Sequence, residues 1–192
     1  MKRHSNTQSV NSGSKNKEAR RTEEPYGTQL NGVTSSVPPW PQPQRQNEKM
    51  FILPKKLSAN DKIIINGEMK ENPENVNLAL ITGYESPDYA NVACQLEINF
   101  SPNDIMTLSI IENGNREVIE EYQTSSYINR GKGDDYSFEK AFLIRENNNV
   151  TVFIGSSYLH TFQLKHDVGN VRFISVSGDV VKVSQLNFVF GS

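Results

Sequence analysis

The chain has 192 residues, with 20 basic and 22 acidic side chains, three histidines and one cysteine. A net charge of −2 argues against nucleic-acid binding, which needs concentrated positive charge, and one cysteine excludes an internal disulfide or a two-cysteine zinc motif. No apolar run approaches the roughly 18 residues that span a bilayer, and no apolar stretch follows Met1-Lys2-Arg3. We therefore expect neither a membrane span nor a secretory signal, and a cytoplasmic location.

The first 49 residues differ in composition from the rest of the chain. They contain five of the nine prolines and the single tryptophan, Trp40, and their few apolar residues follow no regular period. Such a segment cannot bury enough apolar surface to offset the entropy lost on ordering. The composition predicts a disordered tail over residues 1–49 and a folded domain over residues 50–192. Eight basic and four acidic residues make the tail basic, so the domain is acidic.

Two short segments of the tail have alternative interpretations. The run from Val37 to Pro43 favours polyproline II, which serves either as a stiff spacer or as a ligand for an aromatic groove on another protein. The basic run from Lys15 to Arg21 is either a solvated charge cluster or a weak nuclear-import signal, so nuclear entry stays open.

Short segments with a period of two follow one another from residue 50 onward. In each segment one set of side chains faces inward and the alternate set outward. Turn-forming Asn, Gly, Pro and Asp residues separate the segments. About ten short strands with such spacing predict an all-β antiparallel sandwich or barrel. The strand-like segments are Lys62–Ile65, Val76–Leu80, Leu96–Phe100, Ile105–Ile111, Glu117–Tyr122, Phe138–Ile144, Val150–Ile154, Tyr158–Gln163, Val171–Val176 and Val180–Phe190.

The last segment changes its apolar phase part-way along. Val181 and Val183 share one phase, whereas Leu186 and Phe188 share the other. A strand keeps its inward face only if an extra residue is inserted at the change, so we predict a bulge or strand break near Ser184.

The residues that carry catalysis or bind metal are too scattered to form a site. The histidines and Cys94 have no metal-ligand spacing, and no nucleophile elbow or phosphate-binding loop is present. Glu120 and Glu121 are adjacent on a predicted strand and point to opposite faces, so they cannot form a pair of catalytic carboxylates. We expect no metal, no cofactor and no enzymatic activity, and we expect Cys94 to be a buried thiol.

Four segments of the domain occur in a characteristic order: Lys62–Gly67, Val76–Gly83, Asn149–Gly155 and Val176–Val180. This order resembles that of the galectin family, and the resemblance covers roughly residues 51–190. It implies a galectin-type jelly-roll sandwich of two antiparallel sheets, of about five and six strands, without disulfides. It also implies a sugar-binding groove on one sheet.

The family's sugar-binding strand has the pattern His-x-Asn-x-Arg, in which alternate residues project from one face and meet the sugar hydroxyls. The matching positions here are Gln95, Glu97 and Asn99, so the alternation is kept and all three identities differ. Without the resemblance, the solvated face of an ordinary strand is the better explanation of the same residues, and with the resemblance the two explanations are equally good.

The next family positions are an Asn on the neighbouring strand and a Trp that stacks against the sugar. The resemblance places Ser109 at the Asn, and Arg116 or Glu117 at the Trp. The aromatic platform is therefore missing, and stacking worth on the order of 1 kcal/mol is lost.

The final family positions are a Glu and an Arg. Glu120 matches the Glu, with Glu121 as the alternative if the register slips by one residue, and Tyr122 stands at the Arg. Tyr122 is a candidate replacement ring.

Two functions follow as hypotheses. The first is a carbohydrate-binding lectin module with a degenerate β-galactoside site, whose ligand is a glycan or glycoprotein and whose lactose affinity is weak or absent. The second is a galectin-fold protein that binds another protein and no sugar. By the same resemblance, a homodimer that depends on the tail and an unconventional route of secretion stay open.

Overall fold

The computed structural model describes residues 47–128 and 137–191, and these residues form eleven β-strands and two short 3-10 helices. The predicted tail lies outside the described residues up to residue 46. The strands are β1 Lys49–Ile52, β2 Lys62–Met69, β3 Asn75–Gly83, β4 Pro87–Asn99, β5 Ile105–Glu112, β6 Asn115–Gln123, β7 Ser137–Arg145, β8 Asn149–Ile154, β9 Ser157–Gln163, β10 Val171–Gly178 and β11 Val180–Val189, and the 3-10 helices are Thr124–Ser126 and Val168–Asn170.

The strands form two antiparallel sheets. One sheet has six strands in the order β1-β10-β3-β4-β5-β6, and the other has five in the order β11-β2-β7-β8-β9. The predicted all-β sandwich, with sheets of five and six strands, is therefore confirmed.

The alternation seen in the sequence places one side of each strand in the core. Val76, Leu78 and Leu80 of β3 and Leu96 and Ile98 of β4 are at most 1% exposed. Burial of each such side chain contributes roughly 2 kcal/mol. Their alternate neighbours point away from the core, and these neighbours include the candidate site residues of β4.

The second sheet supplies the other half of the same core. Ile63 and Ile65 of β2, Phe142 of β7 and Val152 of β8 are fully buried in one cluster with the residues of β3 and β4. Cys94 belongs to this cluster as well, which confirms the predicted buried thiol. Burial raises the pKa of Cys94, so the thiol stays protonated and inert.

The predicted irregularity in the last strand is present. Along β11 the pairing with β2 shifts between Val183 and Gln185, which leaves Ser184 as the extra residue. A bulge at Ser184 therefore keeps both halves of β11 in register with β2.

Candidate functional site

Polar side chains line up across the six-stranded sheet on the face turned away from the core. Gln95 of β4 pairs with Ser109 of β5, and Glu97 pairs with Thr107 of β5 and with Asn77 of β3. Because paired residues share a face, the five side chains form two adjacent rows. We call these five residues the polar face.

The polar face is largely enclosed. Gln95, Thr107 and Ser109 are 2%, 6% and 0% exposed, whereas the side chain of Glu97 is 24% exposed. Gln95 Nε2 donates to Glu97 Oε1 over 3.0 Å. Glu97 is thus the more accessible of these four groups, and its carboxylate is held in place by its neighbour.

Arg116 of β6 reaches across β5 onto the polar face. Its Nε donates to Ser109 Oγ over 3.2 Å, and its Nη2 donates to Glu97 Oε2 and forms an ion pair with it. The guanidinium therefore bridges the two rows, at one of the two positions where the resemblance expects an aromatic ring. Sequence reasoning placed Arg116 there but missed the bridge, for which the only signal was its opposite charge to Glu97.

A bulge in β6 decides which of the two neighbouring glutamates joins the rows. The pairing shifts between Leu108 and Ser109, so that Glu120 pairs with Leu108 and Glu121 pairs with Thr107. Leu108 belongs to the core cluster. The structure therefore brings Glu121 into line with Glu97 and leaves Glu120 outside that row.

Tyr122 lies on the other side of β6. It pairs with Met106 and packs against the core, and its hydroxyl lies 2.8 Å from His160 Nδ1 on the edge strand of the other sheet. Burial, and then the negative charge of Glu120, raise the pKa of Tyr122 to about 12. The sequence offered Tyr122 as a candidate replacement ring for the groove, and the structure places this ring at the edge of the sandwich.

Asn99 ends β4 and pairs with Asn75 of β3, one step along the strand from the two rows. Its carbonyl accepts a hydrogen bond of 3.1 Å from Thr124 Oγ1. Asn99 therefore lies at the margin of the polar face.

Asn77 adds a feature that the sequence did not reveal. Its Oδ1 is buried, and among the described residues it accepts no hydrogen bond. A buried carbonyl oxygen without a donor is costly, by roughly 1–3 kcal/mol. Among the described residues, this oxygen beside Glu97 is therefore an acceptor without a donor.

In residues 47–128 and 137–191, no three His, Cys, Asp or Glu side chains cluster so as to hold a metal ion. Within the same ranges, no helix has the length and apolar character needed to cross a bilayer.

The comparisons with known proteins agree with the observed fold. The family model described as galactoside-binding lectin matches residues 49–188. The chain belongs to the galectin family. No curated protein matches the chain. The matched description names a family of lectins, not of enzymes.

Two solved galectins share the fold. Sheep galectin-11, in complex with glycerol, is 15% identical, with a TM-score of 0.58, over 76% of this chain and 99% of its own. The Caenorhabditis elegans galectin LEC-6 is 10% identical, with a TM-score of 0.59, over 76% of this chain and 93% of its own. At such low identity these likenesses show that the galectin fold is kept and leave the ligand open.

Proposed function

We propose that the polar face of this galectin binds a glycan, and that its selectivity differs from simple β-galactosides. The observation that carries the proposal is the bridge from Arg116 to Glu97 and Ser109. The bridge lies over the strands that the resemblance assigns to the sugar, where an aromatic ring is expected. Lactose therefore loses its stacking surface, worth on the order of 1 kcal/mol, and meets a guanidinium instead.

The groups around the bridge favour a ligand rich in hydrogen-bond donors. The carboxylates of Glu97 and Glu121 and the orphaned Oδ1 of Asn77 are acceptors in one line of paired residues. An amino sugar supplies donors and a positive charge, which competes with Arg116 for Glu97. A glycan or glycoprotein with an exposed amine is accordingly the ligand we favour.

A glycan array combined with calorimetry tests the proposal. We expect lactose to bind with a Kd weaker than about 1 mM and a subset of other glycans to bind. Glu97→Gln should abolish that binding, because it removes the charge that both Arg116 and the ligand require. The matched control is Arg145→Ala on β7, which removes an arginine bonded to Thr151 on the other sheet and should leave binding unchanged.

The Arg116→Ala variant distinguishes an altered glycan selectivity from a general loss of glycan affinity. Removing the guanidinium exposes Glu97 and should strengthen binding of amino sugars without restoring lactose affinity. Lactose binding with a Kd well below about 1 mM in the unmodified chain contradicts the proposal.

The enclosure of the polar face favours a second candidate, in which the protein binds another protein and no sugar. Gln95, Thr107 and Ser109 offer a sugar little accessible surface. An array that stays silent for both the unmodified chain and Arg116→Ala, with the fold intact, supports this candidate over the first.

A further inference from the structure

A concavity lies at one end of the sandwich, away from the polar face. It has a volume of 490 Å³, within the range of about 300–1,000 Å³ that small-molecule sites occupy. Tyr84 and Asn91, from the β3–β4 hairpin, line one side, and His166, Asp167 and Asn170, from the β9–β10 connection, line the other. We call this concavity the end cleft.

An apolar cluster sets the end cleft apart from the polar face. Along β4, Val92 lies between Asn91 and Gln95, and it is buried with Ala79, Ile81 and Phe173. A ligand in the end cleft therefore need not touch the rows around Glu97, and the two sites can be tested separately.

Tyr84 presents an open aromatic surface at the end cleft. It is 87% exposed, the highest value among the exposed large apolar side chains of the described residues. The preceding Gly83 has φ +143°, and a Cβ there would lie 2.1 Å from the Ser86 carbonyl oxygen. Only glycine fits this turn, so the backbone conformation that carries Tyr84 is fixed by the sequence.

The opposite wall is held by hydrogen bonds. Asn148 Nδ2 donates to the carbonyls of Leu164 and His166, at 3.0 and 2.7 Å, and its Oδ1 accepts from Val168 N at 2.8 Å. His166 Nε2 lies 2.8 Å from the Ile111 carbonyl oxygen. A wall fixed in this way loses little entropy when a ligand binds.

The charges of the lining balance. Among the lining residues Lys165 is the one cation and Asp167 the one carboxylate, and Lys165 also forms ion pairs with Glu117 and Glu112 of the β5–β6 hairpin. Asp167 Oδ1 accepts from Gly169 N at 2.9 Å. Besides this charged pair, the lining contributes the Tyr84 ring and the side-chain amides of Asn91 and Asn170, which match an uncharged ring with one apolar side and several hydroxyls.

We propose that the end cleft binds an uncharged saccharide ring, which stacks on Tyr84 while its hydroxyls meet Asn170 and Asp167. Aromatic side chains carry a flat apolar face, and amide and carboxylate groups accept and donate directional hydrogen bonds. The site is additional to the polar face and holds whether or not that face binds a glycan.

Amide NMR shifts of the full chain test the proposal. The probes are methyl β-galactoside, methyl α-mannoside and N-acetylglucosamine, with glucosamine and glucuronic acid as charged counterparts. We expect at least one uncharged probe to shift the amides of Tyr84 and of residues 166–170 at about 50 mM, a concentration suited to weak affinity. The charged probes should shift them less.

Variants assign the shifts to the cleft. Tyr84→Ala should weaken the binding about tenfold, the effect of losing one stacking contact, whereas Tyr84→Phe should keep it. Tyr158→Ala removes another exposed tyrosine, 57% exposed on β9, and should change nothing. Glu97→Gln should leave the shifts at residues 166–170 intact.

The proposal is overturned if no uncharged probe shifts these amides, if the charged probes bind more tightly, or if Tyr84→Ala binds as the unmodified chain does. Shifts confined to the amides around Glu97 also overturn it, and these would support the polar face alone.

Discussion

Lys140 is a cation placed in the interior of the sandwich. It is 2% exposed, and its Nζ donates to the carbonyl of its neighbour Glu139 over 3.2 Å and lies 5.8 Å from the centroid of the Phe138 ring. Burial lowers the pKa of Lys140 to about 8, against an ordinary value of about 10.4 for a solvated lysine. The folded state therefore favours the neutral form of the Lys140 amine.

We predict that Lys140→Met stabilises the protein and removes part of its pH dependence. Between about pH 8 and pH 10 the unfolded chain holds a proton on this amine that the folded chain has released, so stability rises with pH. Below pH 8 the folded state carries the full penalty, on the order of 3 kcal/mol. Urea unfolding at pH 7, 8, 9 and 10 should show Lys140→Met more stable at pH 7, with the difference shrinking as pH rises.

Lys182→Met is the matched control for Lys140→Met. Lys182 is 57% exposed at its side chain and pairs with Glu68 over 2.9 Å, so its removal should change stability by less than about 1 kcal/mol at every pH. Equal pH slopes for the two variants would contradict the account given for Lys140.

The site residues show which single-residue inferences the sequence supports. Gln95 and Glu97 were predicted to share a face because a strand has a strict period of two, and the structure places them so. A bulge lies in β6 between Val118 and Glu120. Because of this bulge, Arg116 lies on the polar face whereas Tyr122 packs against the edge of the core. The alternation along β6 is too polar to locate that bulge, so the sequence left Glu120 and Glu121 as alternatives.

Asp179, in the tight turn between β10 and β11, ties that turn to the loop before β3. Its Oδ1 accepts from Lys70 Nζ over 2.9 Å, and its Oδ2 accepts from the backbone N–H groups of Glu74 and Asn75 over 2.8 and 3.3 Å. The bond from Lys70, and then those from the backbone, lower the pKa of Asp179. One carboxylate thus fixes where two strands meet.

Asp179→Asn is predicted to lower the free energy of unfolding by about 1–3 kcal/mol at neutral pH, because hydrogen bonds to a charged acceptor are lost. Since the folded pKa is depressed, the difference from the unmodified chain is fully present above about pH 4 and disappears as pH falls through the folded value. Denaturant titrations at pH 7 and pH 3 measure it. The carboxylate of Asp88 accepts hydrogen bonds within its own turn, so Asp88→Asn should lower the free energy of unfolding by less. An equal loss would contradict the role given to Asp179.

At the level of strands, the sequence predicted the features that follow from side-chain periodicity. It missed the features that depend on pairing with a neighbouring strand. The bulge at Ser184 followed from the phase of the flanking apolar residues. By contrast, the run Ser86-Pro87-Asp88, one of the turn-forming stretches between predicted segments, hid the start of β4. Pro87 pairs with Gly83 as the first residue of the strand, a position that proline tolerates. The neighbouring strand, which local sequence does not contain, extends β4 by several residues.

The whole domain includes residues that composition assigned to the tail. Glu48 is 7% exposed, and its carboxylate accepts hydrogen bonds from Ser175 Oγ and, over 2.6 Å, from Tyr89 Oη. Lys49 pairs with Val176 and donates from Nζ to the Val180 carbonyl over 2.8 Å. Charge and low hydropathy placed both residues in the tail, although their polar groups are satisfied only by strands far along the chain.

We predict that a fragment of residues 47–192 is more stable than a fragment of residues 50–192. The shorter fragment loses the contacts of Glu48 and Lys49, and it leaves the hydroxyl of Ser175, a residue that is 3% exposed, without its Glu48 acceptor. An unpaired buried group costs roughly 1–3 kcal/mol, so the midpoint of urea unfolding should fall clearly. Glu48→Gln in the longer fragment isolates the carboxylate and should account for part of the loss. If the two fragments unfold at the same urea concentration, Glu48 and Lys49 contribute nothing to the domain, and its physical start lies at residue 50.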